Sequence, residues 1–255
     1  MLLTVDVGNT HTTAGLFMGD EMIARWSVTT RLSDTVDEVH QTLNNQVQLT
    51  GRTLDCITDV AFACVVPALS PVWNAVALRV CGKEPVVVGP GTKSGMPMRY
   101  DNPAEIGADR VADAVAAVHM YGAPAVVVDL GTATNIEVID KDGNFRGGII
   151  APGLATGARA LTSSAARLFQ VDLSMPSHVI GTNTADAMRS GVMLGEVARI
   201  EGLVARIFDE LGYTAPVIAT GGLGRYIAQS SNVITACEPN LTLWGLHLIY
   251  AKNRG

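Results

Sequence analysis

Two segments of this chain repeat one pattern about half a chain apart. Leu3-Thr4-Val5-Asp6-Val7-Gly8-Asn9-Thr10 is an apolar, β-branched run that ends in Asp, one apolar residue, Gly and a polar turn. Val126-Val127-Val128-Asp129-Leu130-Gly131-Thr132-Ala133-Thr134 does the same. Each leads into a second strand-like run, Thr13-Ala14-Gly15-Leu16-Phe17 and Ile136-Glu137-Val138-Ile139, and then a turn, Met18-Gly19-Asp20 and Lys141-Asp142-Gly143-Asn144. Strand, tight polar turn, antiparallel strand and hairpin turn form a specific supersecondary unit. A repeat of this size constrains the architecture more than any local propensity does, because both copies must build the same fold.

The rest of the chain alternates as an α/β protein should. Strand-like runs fall at 60–66, 84–88 and 215–219, and helical periodicity at 35–49, 70–80, 103–121, 184–211 and 241–250. Pro103 suits the first turn of its helix, and Gly122 with Pro124 closes it. No linker or low-complexity tract separates the halves. Two closely packed lobes are therefore expected, residues 1–115 and 116–255, and 48% hydrophobic residues among 255 are enough to give each a core.

Charge and cysteine content exclude several classes. A net charge of −6 argues against a nucleic-acid partner, which needs clustered Lys and Arg. An anionic substrate would have to be held by backbone amides, a metal ion or one or two local arginines. Cys56, Cys64, Cys81 and Cys237 show no C-x-x-C spacing, so reduced thiols and a cytoplasmic location are expected. No basic segment precedes the short apolar run before Asp6, so no signal peptide is expected. The longest uncharged stretch, 60–78, contains Pro67, Ser70, Pro71 and Asn74, and a membrane helix wants roughly 20 apolar residues, so no membrane span is expected.

The chemistry lies in the repeated turns. A carboxylate at the end of a buried strand is costly unless it is used. The Gly that follows lets backbone approach a ligand closely, and Asn or Thr side chains with turn amides can donate to phosphate oxygens. The Asp can hold a hydrated Mg²⁺ that neutralises the phosphates. A single copy is read as easily as an Asx-turn in a hairpin. Two copies favour a phosphate clamp.

These turns resemble those of the superfamily of acetate and sugar kinases, Hsp70 and actin. The resemblance implies an α/β protein of two duplicated ribonuclease-H-like lobes, the actin/hexokinase-like fold, with the nucleotide cleft between them. Val217-Ile218-Ala219-Thr220-Gly221-Gly222 resembles the superfamily's strand-to-glycine turn beside adenosine. A narrower set runs through the chain in order: Val65-Val66-Pro67, Tyr100-Asp101-Asn102-Pro103, Gly107-Ala108-Asp109-Arg110, Asp129 to Thr134, Gly147-Gly148-Ile149-Ile150-Ala151-Pro152-Gly153, Gly181-Thr182-Asn183-Thr184 and Pro239-Asn240-Leu241-Thr242-Leu243. Together they resemble type III pantothenate kinases over essentially the whole length.

That family implies ATP, Mg²⁺ and pantothenate as reactants, giving 4′-phosphopantothenate, the first step of coenzyme A biosynthesis. By resemblance Asp109 is the general base, and Tyr100, Gly107, Ala108, Asp109 and Arg110 line the pantothenate site. Asp6, Val7, Gly8, Asn9, Thr10, His11, Thr12 and Thr13, with Thr132, contact ATP, and Asp129 holds a monovalent cation, K⁺ or NH₄⁺. Plainer readings stand beside these. Asp109 and Arg110 make a surface pair at a helix start, Tyr100 is an ordinary half-buried aromatic, Arg110 only pins Asp109, and Asp129 is a structural turn residue. Thr184 opens a helix with an apolar stripe through Met188, Val192, Gly195 and Ile200. The resemblance implies a homodimer in which this Thr reaches pantothenate across the interface; as a residue it also reads as the helix N-cap. Glu105 and Glu196 read as solvated or capping, and Trp26, Trp73 and Trp244 as packing. Two departures from the family pattern are Asn135, where Thr is usual, and Leu168-Phe169-Gln170, where Leu-Pro is usual. The competing readings are a non-catalytic paralogue of the same fold and a kinase for another small alcohol.

Overall fold

The repeat becomes two five-stranded sheets of the same topology. In the computed structural model, which describes residues 1–165 and 167–254, β1 (Leu2–Val7), β2 (His11–Met18) and β3 (Glu21–Thr29) form an antiparallel meander. Strands β4 (Asp59–Cys64) and β5 (Val86–Val87) extend it in parallel on the β1 side. The second sheet repeats this with β6 (Ala125–Leu130), β7 (Ala133–Ile139), β8 (Phe145–Pro152), β9 (Val217–Thr220) and β10 (Ala236–Cys237). The strand orders are β3-β2-β1-β4-β5 and β8-β7-β6-β9-β10. The meander strands β3 and β8 were not anticipated from the sequence.

Helices complete two compact units. The first comprises residues 1–96, 101–116 and 241–255, the second 97–100 and 117–240. In the first, α1 (Val36–Leu49) begins in a capping box between Thr35 and Glu38, and with α2 (Ser70–Cys81) it covers one sheet face. Val39, Leu43 and Val47, spaced four apart on α1, pack with Leu3, Val5, Val7, Phe62 and Trp73. The other face is covered by the C-terminal helix α8 (Leu241–Arg254). Phe17 on β2 meets Trp244 edge-on at 5.0 Å, and a Cβ on Gly15 would lie 3.1 Å from Leu243. Helix α8 also crosses α3 (Ala108–Tyr121) without a spacer: a Cβ on Gly245 would lie 1.9 Å from the carbonyl oxygen of Ala112.

In the second unit, Val126, Val128 and Leu130 repeat the inward positions of Leu3, Val5 and Val7 and pack on Met193, Val197, Ile200 and Val204. The expected helix over 184–211 is continuous but in three pieces: α5 (Thr184–Arg189), a π-helical turn (Ser190–Leu194) and α6 (Gly195–Leu211). Its apolar stripe is mostly spent within the chain: Ile200 and half-buried Val192 join the core of the second unit and Met188 is buried, while Gly195 is exposed. That stripe therefore supplies no argument for a dimer. Helices α4 (Leu154–Ser164) and α7 (Gly224–Ala228) complete the unit. The expected helix over 103–121 is broken: Pro103–Glu105 is a 3₁₀ turn, and α3 starts only after Gly107. Among the described residues no helix is long and apolar enough to cross a membrane.

Candidate active site

The two turns close ladders of matching register, the first over one more residue than the second. Asp6 lies opposite Thr13 and Val7 opposite Thr12; Asp129 lies opposite Asn135 and Leu130 opposite Thr134. The Gly8 amide donates to the His11 carbonyl at 3.1 Å, and the Gly131 amide to the Ala133 carbonyl at 3.0 Å. Both Asp residues are half-buried, both following apolar residues are buried, and the tips (Asn9 and Thr10; Gly131 and Thr132) are exposed. The turn chemistry is thus polar side chains carried on buried strands. Of the predicted ATP residues, Val7 belongs to the core and Thr12 is buried, so their side chains frame the hairpin while Asn9, Thr10 and His11 face outward. Asn135, the departure from the family pattern, stands directly across the ladder from Asp129, in the place Thr13 holds opposite Asp6.

Glycines wall in the second turn. A Cβ on Gly221, whose φ is +85°, would come within 2.5 Å of Asp129 Oδ1 and 2.7 Å of Leu130 backbone. A Cβ on Gly153 would meet the Gly131 carbonyl oxygen at 2.4 Å. The paired-glycine turn after β9 and the end of the 147–153 motif therefore both press on the Asp129 turn. Within the first unit, Cys64 ends β4 beside Val7, and burial first, then the Asp6 charge, pushes its thiol pKa up.

Asp109 is the second residue of α3. The Gly107 carbonyl accepts from the Val111 amide at 3.1 Å, so Gly107 caps this helix. The Asp109 carboxylate folds back over that cap: a Cβ on Gly107 would lie 2.4 Å from Oδ1. The Arg110 amide donates to the same oxygen at 2.8 Å. Burial raises the pKa of Asp109 above the usual carboxylate value, against the opposing pull of that amide and of the Arg110 charge. This is no surface ion pair, because Arg110 is only 6% exposed. Tyr100 belongs to the second unit, where its half-buried ring packs 6.2 Å from Phe145 and within 3.5 Å of a Cβ on Gly147. Thr184 is exposed and is not the helix N-cap; that role falls to Asn183, whose Oδ1 accepts from the Asp186 amide at 2.9 Å.

A family model for type III pantothenate kinases matches residues 2–206. The chain belongs to that family. A type III pantothenate kinase of Moorella thermoacetica is 42% identical over 253 residues, covering 99% of this chain and all of the other. One from Roseiflexus castenholzii is 45% identical over 254 residues, with full coverage of both. Among solved structures, the ROK hexokinase of Thermus thermophilus aligns with a TM-score of 0.54 at 12% identity, over 99% of this chain and 98% of that one. That likeness shows the fold: two duplicated ribonuclease-H-like units, the actin/hexokinase-like fold.

One residue of the kinase was misread from sequence. Glu196 is neither solvated nor capping but 5% exposed on α6. It accepts from the Thr134 hydroxyl at 2.7 Å and pairs with Arg199, which also donates to the Pro152 carbonyl at 2.8 Å. Its signal was spacing: Glu196 precedes Val197 and Ile200 on the same inward face. A buried network thus backs the second turn from behind.

Proposed function

We propose that this chain transfers the γ-phosphoryl group of ATP to the primary hydroxyl of pantothenate, opening coenzyme A biosynthesis. The relatives' name supplies the acceptor, and the carboxylate of Asp109 supplies the chemistry. Phosphoryl transfer passes through a loose transition state, so the protein chiefly positions groups and stabilises charge. Asp109 takes the acceptor's proton as its oxygen attacks phosphorus. Its pKa, raised by burial, brings its basicity nearer to working pH. Arg110 and Tyr100 orient pantothenate, and Asn9, Thr10, His11 and Thr132 meet the phosphates.

Mg²⁺ would neutralise phosphate charge when bound, and Asp6 is the residue to hold it. The donor suits this ion: Asp6 offers a hard oxygen donor on a half-buried carboxylate near the end of β1. Mg²⁺ is commonly held by one or two carboxylates with substrate phosphates and water. Asp129, pressed by Gly221, would hold K⁺ or NH₄⁺. We place the kinase in the cytoplasm as a homodimer, with Thr184 reaching the neighbouring subunit's pantothenate. Exposed Thr184 and the adjoining Val179 and Ile180, 75% and 82% exposed, support that contact.

The test is coupled ADP release by the purified protein. Pantothenate should stimulate release, faster in K⁺ or NH₄⁺ than in Na⁺ at matched ionic strength. Release stimulated by another alcohol and not by pantothenate would replace the substrate; release unaffected by any acceptor would favour the non-catalytic paralogue. For the dimer, mixing Asp109→Ala and Thr184→Val proteins under subunit exchange should restore about a quarter of wild-type activity, since half of randomly paired dimers carry one intact site of two. Verified exchange without recovery rejects the shared site.

A further inference from the structure

The duplication allows each part of one turn to be compared with its counterpart. Beyond the Gly8–His11 and Gly131–Ala133 bonds, each turn is tied by the residue that follows its third meander strand. The Thr30 amide donates to the Thr10 carbonyl at 2.9 Å, and the Gly153 amide donates to the Thr132 carbonyl at 3.2 Å. Thr30 and Gly153 are therefore equivalent positions. In the second unit no side chain fits there, because a Cβ would meet the Gly131 carbonyl oxygen at 2.4 Å. In the first unit a threonine does fit, and its hydroxyl donates to the equivalent carbonyl, that of Gly8, at 2.8 Å.

Two further features give that hydroxyl a purpose. The first turn is one residue longer, with Asn9, Thr10 and His11 where the second has Thr132 and Ala133. The extra residue adds backbone freedom that one internal bond does not remove. The Thr30 hydroxyl also lies 2.9 Å from that of Thr12. Since the single Thr30 proton is spent on Gly8, Thr12 must be the donor, and the relay runs Thr12 hydroxyl, Thr30 hydroxyl, Gly8 carbonyl. The second unit solves the same problem differently, with Thr134 at the Thr12 position donating to Glu196.

We infer that Thr30 is a positioning residue for the first phosphate turn, fixing the Gly8 peptide so that Asn9 and Thr10 are presented in one conformation. It touches no substrate. The inference rests on the proposal that this turn meets the phosphates of ATP. A cavity of about 350 Å³ lined by Thr30, Thr12, Trp26 and Trp73 adjoins it, so a substitution at Thr30 has room on that side.

The test compares Thr30→Val, Thr30→Ala and Thr30→Ser with wild type, and with Asp6→Asn. Loss of one hydrogen bond of ordinary net strength corresponds to about fivefold. Thr30→Val should raise KM for MgATP about fivefold while KM for pantothenate stays within twofold, and Thr30→Ser should restore the wild-type value. If the valine variant does not fold, the alanine variant is judged by the same split. A KM for MgATP unchanged in the folded variants, or both KM values rising together, overturns the role of Thr30 provided Asp6→Asn is inactive. A fully active Asp6→Asn overturns instead the reading of the turn on which the inference rests.

Discussion

Gly107→Ala adds one methyl group where the carboxylate of Asp109 lies. The new Cβ would sit 2.4 Å from Oδ1, and real Cβ contacts essentially never fall under 3.0 Å, so the carboxylate must retreat by about 0.6 Å. The obstacle is the end of a side chain, so Asp109 turns away and gives up the Arg110 amide while the helix stays put. Misplacing a reacting group by 1 Å can cost about 10²-fold, so a shift of this size should lower kcat roughly tenfold. Stability should change little, because alanine replaces glycine only at a helix cap, a loss of under about 1 kcal/mol. The assay is steady-state ADP release beside a thermal melt. A kcat within about twofold of wild type in a normally folded variant would refute the placement of Asp109 at the reacting hydroxyl.

Three further outcomes follow from the same geometry. Asp109→Asn should lower kcat by about 10²–10⁴-fold with pantothenate binding largely kept, checked by turnover and calorimetry. Because burial raises the folded-state pKa of Asp109, its ionised form costs stability above that pKa and the cost lapses as pH falls through it. The asparagine variant should therefore melt no lower than wild type at pH 7, with any advantage shrinking on acidification; a clearly lower melt at pH 7 would contradict this. Gly245→Ala should destabilise by about 3 kcal/mol or more, since its Cβ would sit 1.9 Å from the buried Ala112 carbonyl and backbone cannot rotate aside; an unchanged urea midpoint would contradict the contact.

What could be read from sequence was whatever local chemistry repeats. The two hairpins and their Asp-x-Gly turns were legible because period-two apolar runs, polar tips and hairpin turns coincide in both copies. The run at 84–88 gave β5, although only Val86–Val87 pairs, whereas β10, two residues at the other edge position, carries too little pattern to be seen. The break before α3 was hidden because Pro103 is as good a start for a 3₁₀ turn as for an α-helix; it falls at Ile106, whose backbone is extended, before Gly107 caps α3. The stripe on α5 and α6 was visible, but a stripe does not say what covers it, and most of it is spent within the chain. Glu196 was misjudged because a charge in a helix reads as solvated unless its partners, Thr134 and Arg199, are known. Thr30 could not be found before the two units were compared bond by bond.

The return of α8 to the first sheet has a consequence for biosynthesis. Residues 241–254 leave the ribosome after all of residues 117–240, yet they cover the sheet face that carries Phe17 and Gly15. Throughout translation of the second unit, the earlier-made β1–β4 ladder has one apolar face without its cover. Such surface is where nascent chains associate wrongly and where chaperones bind. A ribosome stalled late in the message, short of Leu241, would thus release a chain with a finished second unit and an unfinished first.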